Sequence, residues 1–292
     1  MNLQLILLPF PRQISLLNGS CPLLPEKYIQ ICDRNPNRLL FCAQQISDCI
    51  ASQHHLSWQL TASRSIPVEC IGLKLLIDPS QLKQPQGYKL TIKESIIDLI
   101  GNDPPGIFYG LQTLKQIINQ SNNNHLPCLT VLDWPDFPVR GVMLDISRDK
   151  VYRLETLFML IDELASWKIN QLQLYTEHTF AYLGHDLVWQ ESSPMTAQDI
   201  LTLDRYCVER FIELVPNQNT FGHMTRWLKH PQYQHLAERI QPTNTPWGHV
   251  IAKPFSLAPT LPETLSFISG LFDQLLPNFS SNMVNVGCDE TF

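Results

Sequence analysis

Apolar and polar positions along the chain follow two rhythms, separated by a proline-stiffened stretch, Asp133-Trp134-Pro135-Asp136-Phe137-Pro138. In the first part, residues 3–8 are an apolar run cut short by Pro9 and Pro11, and they read as an opening strand. Residues 33–38 are turn-rich, and residues 41–56 have helical spacing. Residues 68–77 carry Val68, Cys70, Ile71, Leu73, Leu75 and Ile77 and end at Asp78-Pro79, which predicts a strand. Residues 87–92 alternate like a half-buried strand, and residues 96–100 predict another before the breaker Gly101-Asn102-Asp103-Pro104-Pro105. Over residues 106–119, Ile107, Leu111, Leu114 and Ile118 share one helical face. Residues 121–124 are a polar tip. Strands followed by a packed helix predict a small N-terminal α+β domain over residues 1–132.

After the linker the rhythm becomes strand, helix, strand. Residues 139–146 read as a strand, and Leu154, Leu157, Phe158, Ile161, Leu164 and Ala165 form the stripe of a helix. Residues 170–175 give a second strand. Thr196-Ala197-Gln198-Asp199 opens the next helix as a capping box with Asp in the acidic place, and its buried side is Ile200, Leu203, Cys207 and Phe211. Residues 211–215 are a third strand. Thr260-Leu261-Pro262-Glu263 reads as a full capping box ahead of Leu265, Ile268, Leu271, Phe272 and Leu275, and that helix stops at Pro277. Residues 283–286 are a fourth strand. This alternation predicts an α/β fold with a parallel sheet and right-handed crossovers. No glycine-rich loop follows the first strand, which argues against a dinucleotide fold. A (β/α)8 TIM-type barrel fits the rhythm, but a complete one takes about 250 residues. The expectation is therefore a barrel truncated after strand four, with residues 133–292 as its N-terminal half.

Composition narrows the function classes. The chain has 292 residues, 44% of them apolar, and a formal net charge of −6. With a pI near 5.8 there is no basic footprint for nucleic acid. No stretch approaches the ~20 apolar residues of a membrane span. The N-terminus lacks the charged region of a signal peptide, so a cytoplasmic chain is expected. The eight cysteines contain no C-x-x-C pair and read as reduced core thiols without zinc-ligand spacing. His54-His55 reads as a solvated helix end.

The chemistry-bearing stretch is Val286-Gly287-Cys288-Asp289-Glu290. Two adjacent carboxylates follow a strand, at the end where parallel α/β folds gather their catalytic groups. A strand sends successive side chains to opposite faces, so both can face one pocket only where the chain leaves the pleat. Gly287 makes that departure available.

The run Asp136-Phe137-Pro138-Val139-Arg140-Gly141-Val142-Met143-Leu144-Asp145-Ile146-Ser147-Arg148 resembles the opening of the catalytic barrel in family 20 glycoside hydrolases, the β-N-acetylhexosaminidases. Ile161-Asp162 with Lys168-Ile169-Asn170 is similar to the next segment of that family, and Gly287-Cys288-Asp289-Glu290 to its catalytic G-x-D-E strand end. Gly87-Tyr88-Lys89-Leu90 and residues 106–114 resemble its N-terminal α+β domain. The resemblance implies an exo-acting glycosidase that removes terminal N-acetyl-hexosamine with retention, the substrate's own acetamide serving as nucleophile. It implies that Asp289 holds the acetamide, that Glu290 is the acid and base, and that Arg140 grips the sugar hydroxyls. It implies a glycan or glycoside partner and neither a metal nor an organic cofactor. His223 falls at the family's histidine within residues 214–223, but Asn217 and Asn219 stand where the family carries Glu and Asp. Residues 175–178 replace an Asp-rich turn of the family, and Glu177 there is a candidate carboxylate to pair with His223.

Other readings stay open at this point. Arg140 also suits a structural ion pair with Asp145 or Asp136, Asp145 and Arg148 suit an internal salt bridge, and His223 suits loop support as well as the pocket. The incomplete barrel predicts self-association through an exposed strand edge. A non-catalytic carbohydrate-binding fragment and a glycosidase for a different amino sugar are the two rival functions.

Overall fold

The computed structural model describes residues 5–121, 123–245 and 247–291. It divides into two units, Met1–Arg140 with Leu164–Lys168, and Gly141–Glu163 with Ile169–Phe292.

The first unit contains β1 (Gln13–Pro22), β2 (Tyr28–Cys32), α1 (Leu40–His54), β3 (Gln59–Thr61), β4 (Ile71–Ile77), β5 (Tyr88–Ile92), β6 (Ile97–Gly101), α2 (Pro104–Asn119) and β7 (His125–Asp133). Its seven strands form one mixed sheet in the order β1-β7-β5-β6-β4-β2-β3. Tyr88, Leu90 and Ile92 alternate into the core from β5, as do Ile97 and Leu99 from β6. Asp103 starts α2 by accepting the Gly106 N–H at 2.8 Å, with Pro104 inside the first turn where no donor is lost. One buried polar group closes this unit. Lys168 Nζ donates to Asp133 Oδ2 and to Tyr88 Oη, both at 3.0 Å, and Tyr88 lies 2.7 Å from Thr113 Oγ1. Burial lowers the Lys168 pKa from its ordinary value, and Asp133 opposes that fall.

Several expectations change here. Residues 5–12 are not a strand, and Ile6 and Leu8 are exposed; the remainder of that run lies outside the described residues. Pro9 and Pro11 remove ladder donors, and pairing begins at β1. β1 and β7, which pair antiparallel, went unforeseen. His54 is buried with Nδ1 2.8 Å from Asn124 Oδ1, while His55 caps α1 in the left-handed conformation. Cys288 is exposed and Cys32 and Cys70 are half-buried, unlike the thiols expected in the core.

The second unit contains β8 (Gly141–Asp145), most of α3 (Leu154–Ser166), β9 (Gln171–Tyr175), α4 (Asp186–Trp189), α5 (Ala197–Glu209), β10 (Glu213–Val215), α6 (Thr225–Leu228), β11 (Thr243–Asn244), β12 (Val250–Ile251) and α7 (Pro262–Leu275). β8, β9 and β10 form a parallel sheet in the order β10-β9-β8. The predicted fourth strand is reduced to one parallel bridge, Asn217↔Asn285. Its backbone still runs alongside the end of β10, with Asn285 N donating to Pro216 O at 2.9 Å and Thr220 N to Val286 O at 3.1 Å. The Thr196/Asp199 capping box forms with both reciprocal bonds. The box expected at Thr260 does not form: Leu261 is the N-cap and Pro262 takes the first turn, so the helix starts one residue late for Thr260 and Glu263 to cap it. Among the described residues, no helix is long and apolar enough to cross a membrane.

Candidate active site

The turns after β8, β9 and β10, and the segment alongside β10, all leave the second unit's sheet at its carboxyl end, where open α/β sheets bind ligands. Gly287 takes φ +54 and Glu290 takes φ 46, so the backbone twists out of the pleat at both positions. This brings the two adjacent carboxylates to one point. His223 Nε2 lies 3.6 Å from Asp289 Oδ2 and 3.3 Å from Glu290 Oε2. The loop carrying His223 approaches closely because Gly222 has no side chain: a Cβ there would stand 2.9 Å from Asp289 O and 3.1 Å from Glu290 O.

His223 is buried, whereas the Asp289 and Glu290 side chains are 59% and 55% exposed. Behind the imidazole, Nδ1 lies 3.6 Å from Glu177 Oε1. Phe255 packs edge-on against the ring at 4.9 Å, and Met224 N bonds Phe255 O at 2.9 Å. Glu177 is itself held firmly. Tyr175 Oη donates to its carboxylate at 3.0 Å, and its backbone carbonyl accepts from Trp227 Nε1 at 2.8 Å and Gln218 Nε2 at 3.0 Å. Burial raises the Glu177 pKa from its ordinary value, against the Tyr175 hydroxyl, His223 and Arg148, which lower it. Burial, followed by the Glu177 charge, also raises the Tyr175 phenol well above its usual range.

The sequence-predicted site residues therefore fall into two groups. Asp289, Glu290, His223 and Glu177 come together in the second unit. Arg140 belongs to the first unit, ahead of the amino end of β8. Its guanidinium donates to Lys168 O at 2.7 Å, Phe137 O at 2.8 Å and Gln86 Oε1 at 3.0 Å, and lies over Tyr109. It lines an apolar pocket of about 210 Å³ with Tyr88, Tyr109 and Trp134. The arginine at the carboxyl end of β8 is Arg148. It ion-pairs with Asp145 at 3.3 Å, approaches Glu177 at 3.7 Å, donates to Tyr175 Oη at 3.1 Å, and keeps a half-exposed guanidinium. Both arginines stand in the same sequence run, and strand direction was the signal that separates them.

Asn217 and Asn219 line the strand ends. Asn217 Nδ2 donates to Gln173 Oε1 at 3.1 Å, and Asn219 Nδ2 to Thr176 O at 3.2 Å; both Oδ1 atoms are buried without a hydrogen bond among the described residues. Met143, Tyr175, Asn217, Asn285 and Asp289 border a cavity of about 250 Å³. One ligand atom each from His223, Asp289 and Glu290 lie within 4.8 Å of one another, which gathers three metal-ligating groups at one point.

Comparison with known proteins matches residues 4–134 to the model of glycosyl hydrolase family 20, domain 2, and residues 137–292 to the family 20 catalytic domain. The β-hexosaminidase subunit beta of Homo sapiens is 25% identical over 251 residues, covering 80% of this chain and 41% of its own length. A β-hexosaminidase of Porphyromonas gingivalis is 24% identical over 280 residues, 85% of this chain and 34% of its own. Among solved structures, the Flavobacterium johnsoniae chitobiase superposes with a TM-score of 0.82 at 21% identity, over 97% of this chain and 44% of that one. The chain thus spans less than half the length of these relatives.

Proposed function

Because the chain belongs to glycoside hydrolase family 20, we propose that it serves the removal of terminal N-acetyl-hexosamine from glycans or glycosides by substrate-assisted, retaining catalysis. The observation that carries this reading is the placement of Asp289 and Glu290 at the carboxyl end of the sheet, both within 3.6 Å of the buried His223. The β-hexosaminidase names of the sequence relatives support it, as does the Vibrio harveyi family 20 enzyme solved with N-acetylglucosamine, whose fold matches at a TM-score of 0.79.

The chemistry follows from the residue types. The substrate's acetamide oxygen attacks the anomeric carbon while Glu290 gives its proton to the glycosidic oxygen, the C–O bond breaks, and the aglycone leaves as an alcohol. Asp289 accepts the acetamide N–H and stabilises the positive charge of the cyclic intermediate. Water then attacks the anomeric carbon, Glu290 takes its proton, and the acetamide is released; two displacements give net retention. His223 stands beside both carboxylates, with Glu177 behind its other ring nitrogen. In this reading Arg148 takes the role first given to Arg140, since its five-donor fork is half exposed beside the site. The second unit is the first half of a (β/α)8 barrel, with β8, β9, β10 and the segment around Asn285 as four of eight strands. A second reading, a glycosidase for a different amino sugar, is favoured by the two buried, unsatisfied Asn oxygens.

The test is hydrolysis of 4-nitrophenyl N-acetyl-β-glucosaminide by the chain beside its Glu290→Gln variant. Loss of the acid is expected to cost about 10²–10⁴-fold in rate. The cost should shrink on a 2,4-dinitrophenyl glycoside, whose leaving group needs no proton. Equal rates in both proteins, or no hydrolysis by either, would overturn the assignment, and preference for another aryl amino sugar would favour the second reading.

A further inference from the structure

We infer that His223, Asp289 and Glu290 form a zinc-binding site whose occupation switches the catalytic carboxylates off. The inference uses the residues of the proposed active site, and its inhibitory consequence rests on that reading; the binding itself does not.

The geometry is that of ligands around a shared centre rather than of a hydrogen-bonded pair. His223 Nε2 is buried and makes no hydrogen bond among the described residues, although Glu290 Oε2 is 3.3 Å away and Asp289 Oδ2 3.6 Å. Zinc binds nitrogen and carboxylate oxygen at about 2.0–2.2 Å in a tetrahedron, so two of its ligand atoms stand about 3.3–3.6 Å apart. Both separations fall in that interval. The third separation, between the two exposed carboxylates, is at most 4.8 Å, and rotation of these exposed side chains can bring it to the tetrahedral edge.

The second observation lies behind the histidine. Its other nitrogen, Nδ1, faces the buried Glu177 carboxylate at 3.6 Å, and Glu177 is oriented by Tyr175. A carboxylate backing a histidine is how metal-ligating imidazoles are oriented and made more basic. The side chain that would give the tightest bond is therefore also the buried one, while the two exposed carboxylates are open to an ion arriving from solvent. Three protein ligands leave one tetrahedral position for water or chloride. An ion seated there occupies the Glu290 oxygen that must carry the proton and the Asp289 oxygen that must meet the acetamide.

Isothermal titration of the chain with Zn²⁺, in a non-chelating buffer, tests this without reference to hydrolysis. One zinc per chain is expected. Asp289→Asn and Glu290→Gln should each weaken binding at least about 10-fold, and Glu177→Gln about 10–100-fold through His223. Cys288→Ser, which removes the neighbouring exposed thiol, should leave binding unchanged, and Co²⁺ substituted for zinc should show no thiolate charge-transfer band. Far-ultraviolet dichroism confirms that each variant is folded. The proposal falls if zinc does not bind at one-to-one stoichiometry, if binding survives both carboxamide variants, or if it is lost with Cys288. Where the chain hydrolyses the aryl glycoside, zinc should inhibit competitively and EDTA should reverse it. Hydrolysis without zinc binding would sink this inference alone, and zinc binding without hydrolysis would sink only the catalytic reading.

Discussion

At residue scale, Glu177 and His178 are adjacent, both buried, and pushed in opposite senses. Burial, with Arg226 and Lys229 nearby, lowers the His178 pKa to about 4. The neutral imidazole is then part of the fold: its stabilisation is complete above pH ~6.5 and is lost as pH falls through about 4. The shift corresponds to about 3 kcal/mol at most. His178→Gln should flatten the loss of stability between those pH values in urea titrations. For Glu177 the sign reverses. Its raised pKa makes the protonated carboxyl the better-accommodated form, so its contribution is present in acid and lost as pH rises through the folded value. Glu177→Gln should gain stability relative to the native chain on going from pH 4 to pH 7. A native curve parallel to that of either variant would refute the corresponding assignment.

At this scale the sequence was legible where chemistry and spacing coincide. Asp289 and Glu290 stood out by residue type and strand-end position, whereas His223 and Glu177 were reached only through the resemblance to family 20. The choice between Arg140 and Arg148 turns on which end of β8 each one flanks, and the carboxyl-end rule already used for Asp289 and Glu290 favours Arg148.

At element scale, the two Thr-led boxes show what local pattern can and cannot decide. Thr196 and Asp199 satisfy each other, and Thr196→Ala should cost about 1 kcal/mol of stability by thermal melting. Thr260 makes no such bond, so Thr260→Ala should be nearly silent. The periodic helices and the alternating strands β5 and β6 were readable because one face of each is buried. β1 was not, since most of its ten residues are exposed and no alternation marks it. The loop bearing His223 gives a sharper test. Gly222→Ala places a methyl against two backbone carbonyls, which cannot rotate away as a side-chain end would. Hydrolysis and zinc binding should fall together while the melting temperature of the chain moves by only a few degrees; unchanged values of both would mean that the close approach has no functional weight.

At the scale of the whole molecule, the segment alongside β10 leaves Met283, Val284 and Val286 between 40% and 46% exposed, and β8 has no strand partner on its far side among the described residues. Apolar edges of this kind predict concentration-dependent self-association, measurable by sedimentation velocity, and Val286→Lys should reduce it. A concentration-independent monomer would count against it. The parallel order of the sheet was readable from alternating elements and capping signals, whereas the shortness of its fourth segment was not, because a strand's length depends on partners that lie far away in sequence.

The contact between Lys168 and Asp133 bears on how such a chain can be cut and recombined. The linker at residues 133–138 looks like the natural seam, yet the ammonium that neutralises Asp133 is encoded some way downstream of it. A cloning boundary or a gene fusion within the linker, after Asp133, would transfer the carboxylate and leave its counter-charge behind. A carboxylate stranded in this way typically costs about 3–5 kcal/mol, enough to unfold a small domain. The seam visible in the sequence is therefore not the one along which the first unit can be inherited intact: the transferable piece has to carry its short return, Leu164–Lys168, with it.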